Sequence, residues 1–203
     1  MKLLRATVLL LTIIVATGAA MAQVTVDFSV LGIDSVDITT ANNPAGYTLN
    51  GVTFKYDDLG SGVDTAQVDA VGIFGSTFGS LIFDFDAPAT ALNFDFTLSD
   101  AAQSASDALF IAFKSNGSDV TDMLVPATFT AYDPGDPTVG LVSGALAYNG
   151  AEFNQAVMIF SPDVPFFSVE NISYVPVPEP SSFVILACGL VGLGGLGRFA
   201  RRS

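Results

Sequence analysis

Leu81-Ile82-Phe83-Asp84-Phe85-Asp86-Ala87-Pro88-Ala89-Thr90-Ala91-Leu92-Asn93-Phe94-Asp95-Phe96-Thr97-Leu98 decides the fold class of this chain. Apolar and polar residues alternate on both sides of Ala87-Pro88, and a period of two marks a strand with one buried face. The Ala87-Pro88 pair reads as a turn, which makes the stretch an antiparallel hairpin of 81–85 against 92–98. Phe83, Phe85, Phe94 and Phe96 then point into a core, and Asp84, Asp86, Asn93 and Asp95 point the other way.

The same period recurs outward from this stretch. Val24, Val26 and Phe28 alternate with polar residues, as do Val52, Phe54 and Tyr56. Further strands are expected over 109–113, 127–132, 156–160 and 166–174. Turn formers separate them: Asn42-Asn43-Pro44, Gly60-Ser61-Gly62, Asn116-Gly117, Asp133-Pro134-Gly135-Asp136-Pro137 and Asn149-Gly150. Only 100–108 suits a short helix. In the last strand Ile172 and Tyr174 break the phase set by Phe167 and Val169, so a bulge near Glu170-Asn171 keeps all four inward. Eight or nine short strands spaced this way predict an all-β fold, an antiparallel β-sandwich of the jelly-roll type.

Charge and composition narrow the chemistry. The 203-residue chain has no histidine and no tryptophan, and its one cysteine is Cys188. Ser-His-Asp and Cys-His catalysis are therefore excluded, as are zinc sites built on imidazole or thiolate. A carboxylate pair, as in glycoside hydrolases, is the common apparatus that remains, and acidic side chains this numerous supply pairs by chance. Residues 23–175 carry nineteen acidic side chains against Lys55 and Lys114, a formal charge of −17. Nucleic acid and anionic lipid surfaces repel such a domain. About 150 residues suffice for one domain with a sizeable core.

Both ends read as addresses. Residues 1–22 begin with Lys2 and Arg5, continue through an apolar run, and end with the small residues Ala20 and Ala22 before Gln23, the pattern of a cleaved secretory signal peptide that uses the Sec translocon. Residues 176–203 carry Val177-Pro178-Glu179-Pro180-Ser181, then an uncharged run over 183–197, then a basic end with Arg198, Arg201 and Arg202. Basic residues at both ends put the termini on the cytoplasmic side and the middle outside. The apolar run spans about 22 Å as a helix, short of a hydrocarbon core of about 30 Å. Gly192-Leu193-Gly194-Gly195-Leu196-Gly197 within it spells a dinucleotide-binding fingerprint, yet six residues follow it and the required helix and strand have no room.

Those tail residues resemble the PEP-CTERM sorting tail of proteins exported by Gram-negative bacteria that make exopolysaccharide. The resemblance implies processing by an exosortase-type membrane protease near Pro178-Glu179-Pro180, a transient membrane anchor, and delivery to the cell surface, the biofilm matrix or the medium. A plain C-terminal transmembrane anchor is the rival reading of the same segment. The tail implies destination and leaves the activity of 23–175 open.

Three function classes fit that domain: a non-enzymatic structural or adhesive protein associated with extracellular polysaccharide, a calcium-dependent carbohydrate-binding module, and a carboxylate-dependent hydrolase. For the second, Tyr47, Tyr56, Tyr132 and Tyr148 are candidate stacking residues. Asp84, Asp86 and Asp95, with Asn93, and separately Asp133 and Asp136, are candidate calcium ligands, because a hard cation would relieve the repulsion of clustered carboxylates. The competing reading makes these aspartates, and Asp57-Asp58, a solvated outer face and ordinary turn starters. An exposed aromatic platform on one sheet separates the binding module from the structural protein.

Overall fold

The computed structural model describes residues 22–32, 34–100, 105–133, 135, 140–161 and 165–178. Ala20, Asp136, Glu179, Pro180, Ser181, the run 183–197, and Arg198, Arg201 and Arg202 lie outside them. Among the described residues no helix is long and apolar enough to cross a membrane.

The chain forms β1 (Val24–Thr25), a 3-10 turn (Phe28–Leu31), β2 (Val36–Asp37), β3 (Tyr47–Leu49), β4 (Val52–Asp57), β5 (Ala66–Val68), β6 (Ile73–Ser76), β7 (Ser80–Asp100), β8 (Ala105–Ser115), β9 (Ser118–Tyr132), β10 (Gly140–Phe160) and β11 (Phe166–Pro176). Every strand pair is antiparallel, in the order β2-β5-β6-β11-β7-β10-β8-β9, with β4 and β3 branching from β7 and β1 from β11. The all-β antiparallel expectation holds.

The expected hairpin over 81–98 does not form. Ser80–Asp100 is one strand, and Asn149-Gly150, also expected to turn, lies inside β10. β7 and β10 pair along their lengths, with register breaks between Asn149 and Phe153 and between Phe153 and Gln155. Turn-forming residues inside two paired strands produce a bend instead of a reversal, because neighbours on either side keep the ladder while the extra residues bulge. Pro88 fits there because it needs no partner for the N–H it lacks.

How far the ribbon bends follows from two rings. Phe160 adjoins the Ile159–Ser80 pair, sixteen residues along β7 from Phe96, a distance of about 50 Å in an extended strand. Their ring centroids are 6.3 Å apart. The ribbon therefore folds over itself and makes two layers. A front layer holds β3, β4, the first half of β7, the second half of β10, β8 and the start of β9. A back layer holds β5, β6, β11, the second half of β7, the first half of β10 and the end of β9. Ile38 stitches the layers along one side: its N–H donates to Ala66 at 3.0 Å and its carbonyl accepts from Tyr56 at 2.8 Å.

Phenylalanine fills the space between. Phe54, Phe83, Phe94, Phe96, Phe113, Phe153 and Phe160 are all buried, and Phe160 stacks on Phe167 across the layers at 4.3 Å. Each such ring contributes about 1.5–3 kcal/mol by leaving water. The residues over 100–108 expected as a helix are strand where described, since Asp100 ends β7 and Ala105 begins β8. The expected bulge is present: register shifts between Glu170 and Ser173, Asn171 adopts φ 54°, and Phe167, Val169, Ile172 and Tyr174 are all buried. Asn116-Gly117 makes the β8–β9 hairpin, with φ 51° and 80°.

The two chain ends of the domain meet. Val24 and Thr25 pair with Tyr174 and Ser173, Gln23 donates its amide to the Ser173 hydroxyl at 2.6 Å, and the Val177 N–H donates to Pro88 at 2.6 Å. β11 thus runs to Pro176, one residue past the expected domain boundary.

Candidate functional site

The candidate site is a groove of about 430 Å³ at one end of the back layer, between the 63–67 segment, β6 with the turn after it, and the start of β11. It begins with a loop that an aspartate folds. Asp58 is buried, and its carboxylate accepts from the N–H groups of Gly60 (3.1 Å) and Gly62 (2.8 Å). Ser61 Oγ then accepts from the Asp64 N–H at 3.2 Å, so the chain arrives at β5 in a fixed direction.

Ser76 ties the walls together. Its N–H donates to Thr65 at 3.0 Å, its hydroxyl donates to Asp64 Oδ1 at 2.8 Å, and its carbonyl accepts from the Tyr56 hydroxyl at 2.9 Å. Burial pushes the Tyr56 phenol above its ordinary range, with the carboxylates of Asp64 and Asp58 adding to that direction against the hydrogen bond. At the floor, Gly75 lets β6 approach β5. A Cβ there would sit 2.6 Å from Ala66 Cβ and 2.8 Å from the Thr65 carbonyl.

Three phenylalanines face solvent around this space: Phe74 (41% exposed), Phe78 (54%) and Phe166 (63%). Alternation forces this on β6 and β11. Ile73 and Phe167 are buried, so their neighbours Phe74 and Phe166 must point out. The polar lining is Thr65, Gln67, Ser76 and one carboxylate, Asp64. A second carboxylate, which glycoside hydrolysis requires, is not among the described residues that line the groove.

The candidate stacking tyrosines lie elsewhere. Tyr56 and Tyr148 are core residues, correcting their candidacy: inward positions of β4 and β10 bury them, and Tyr148 stacks on Phe113 at 4.0 Å. Tyr47 packs half-buried against the core. Tyr132 is exposed at the end of β9 beside Phe129, with centroids 5.2 Å apart.

The candidate calcium ligands on β7 do not converge. Asp84 faces out from the front layer, where it pairs with Lys55 at 2.9 Å and accepts from Gln155 at 2.7 Å. Asp86, exposed near the bend, lies beside Tyr174, whose phenol is pushed up by burial and then by the Asp86 charge. Asp95 and Asn93 face out from the back layer, and Asp95 accepts from the Asn171 amide at 2.8 Å. Because β7 bends between them, these groups sit on opposite outer faces. Asp133 accepts from the Gly135 N–H at 2.7 Å, the ordinary role of an aspartate at a turn. Among the described residues no three acidic side chains gather at one point.

No family model and no curated protein matches the sequence. Among solved structures, the chain is similar to a family 29 carbohydrate-binding module from Piromyces equi at 8% identity and a TM-score of 0.43, over 78% of this chain and 93% of that one. A family 29 module complexed with mannohexaose gives 8% identity and 0.41, over 77% and 92%. The K2 cleaved adhesin domain of Lys-gingipain gives 12% identity and 0.39, over 77% and 99%.

Proposed function

We propose that this chain is an exported, non-catalytic carbohydrate-binding protein whose groove holds an uncharged polysaccharide. The observation that carries the reading is the ring of Phe74, Phe78 and Phe166 around a groove whose polar lining is almost entirely neutral. Phenyl faces carry negative potential and attract the C–H edges of a sugar, while hydroxyl and amide groups at the wall bond its hydroxyls. Over residues 23–175, nineteen carboxylates against two lysines disfavour an anionic glycan. Calcium has no part in this reading.

Delivery follows from the ends of the sequence. Residues 1–22 act as the signal peptide, cleaved between Ala22 and Gln23, and the tail from Val177 and Pro178 onward is the exosortase signal that releases the domain to the surface or matrix. Intact mass of the protein from a host with and without the protease checks this, and a tail retained in both strains leaves a plain anchor.

The binding reading is tested by affinity electrophoresis against immobilised neutral and acidic polysaccharides. Wild-type protein is retarded by a neutral glucan, mannan or galactan and not by alginate, and Phe74→Ala with Phe166→Ala removes the retardation while the melting transition persists. Wild-type migration unaffected by every neutral polymer would sink the reading.

A further inference from the structure

The groove opens onto a row of side chains that crosses the back layer at right angles to its strands. Cross-strand register places Gln67 beside Phe74, Phe74 beside Ser168, Ser168 beside Thr97, Thr97 beside Ser143 and Ser143 beside Thr128. All face outward, because Ile73, Val169, Phe96, Leu98 and Val142 on either side of them are buried. From Ser168 onward every member is a hydroxyl.

These hydroxyls are already organised. Thr97 Oγ1 and Ser143 Oγ are 3.0 Å apart, and Thr130 Oγ1 reaches the same Ser143 oxygen at 2.9 Å. A hydroxyl has one donor and two acceptor sites, so a linked row keeps acceptor capacity toward solvent, and a chain of such bonds strengthens its members. None of the row's side chains is ionised. Asp95 and Glu170, paired across β7 and β11, lie one row further along the strands, on the side away from the groove.

We infer that the row is a track that extends the site, so that the protein binds a linear uncharged polysaccharide lying across the strands, gripped at one end by the phenylalanine groove and bonded along its length by Ser168, Thr97, Ser143 and Thr130. This rests on the groove being the sugar site. Four strand spacings separate Phe74 from Thr128, about 19 Å, room for about four sugar rings. The track therefore sets a length preference: the groove alone serves a short oligosaccharide, and the hydroxyls act only on a longer one.

Calorimetric titration with cello-, manno- and β-1,3-gluco-oligosaccharides of two to six units tests it. Affinity of the wild-type protein rises from the disaccharide to the hexasaccharide. A Thr97→Val, Ser143→Ala double variant, close in shape to the original, loses about tenfold for the hexasaccharide and nothing for the disaccharide. Ser168→Arg, which puts a bulky charge in the row, has the same selective effect and guards against a fold defect in the first variant. An affinity already complete at the disaccharide, or a hexasaccharide bound equally by wild type and both variants, overturns the track and leaves the groove standing. If no oligosaccharide of any length binds the wild type, both readings fall together.

Discussion

The two outer faces of this sandwich are made partly by the same two strands, yet they present different chemistry. On the front face β7 and β10 contribute Asp84 and Gln155, locked with Lys55 into a polar cluster, and Ile159, which continues through Phe110 to Leu124 as an apolar stripe. On the back face the same strands contribute Thr97 and Ser143, uncharged and bordered by an aromatic groove. A charge cluster that is internally satisfied offers little to a ligand, whereas unsaturated hydroxyls beside exposed rings offer a great deal. Position after the bend therefore decides surface chemistry more than the alternation shared by both halves.

The largest effect should come from the ring that ties the faces together. Phe160→Ala empties the contact with Phe167 and Phe96, and denaturant unfolding should register a loss of about 3–5 kcal/mol, with both faces melting in one transition. Separate transitions would show that the faces are independent.

A smaller change should break only the back face. Gly75→Val drives a side chain into Ala66 and the Thr65 carbonyl, at an expected cost of about 1–3 kcal/mol, and polysaccharide retardation should disappear well before the fold does.

Beneath the groove, Tyr56→Phe removes the bond to the Ser76 carbonyl and should cost about 1 kcal/mol in a thermal melt. The wild-type protein carries a matching alkaline signature. Burial raises the Tyr56 and Tyr174 phenols above their ordinary 10.0, so the unfolded chain releases these protons first. Stability is intact below pH 10 and falls as pH rises through the folded values, and Tyr56→Phe should shrink that fall.

The smallest effect belongs to the front face. Asp84→Asn breaks a partly exposed pair with Lys55 and should cost no more than about 1 kcal/mol, less in high salt, with polysaccharide binding untouched. Lost binding in this variant would move the site to the other side of the molecule.

Much of this architecture is legible in the residues. Alternation through Val52, Phe54 and Tyr56 and through Phe94 and Phe96 places each inward side chain correctly, Asn116-Gly117 marks its hairpin, and the phase slip after Val169 locates the bulge at Asn171. Ala87-Pro88 and Asn149-Gly150 mislead because turn propensity is local, while bend or reversal depends on partners elsewhere in the chain. The short strands β2, β5 and β6 carry too few residues to show a period. As for the site, tyrosine with its polar handle is a misleading marker, because three of the five tyrosines are buried and hold the core together. The sequence does hold a signal for the groove that the alternation alone leaves unread, Phe166-Phe167: adjacent residues on a strand face opposite ways, so one large ring has to stand in water.

The meeting of the domain's two ends gives the molecule a polarity. Gln23 and Val177 lie at the close of β11, and the groove lies at its opening, ten residues or about 33 Å away. Whatever tethers this domain by either end, or by both at once, holds it like a lamp on a bracket, with the phenylalanines at the far pole. Under the proposed function a polymer in the surroundings meets the groove first, and a cut at either end of the domain leaves the groove untouched.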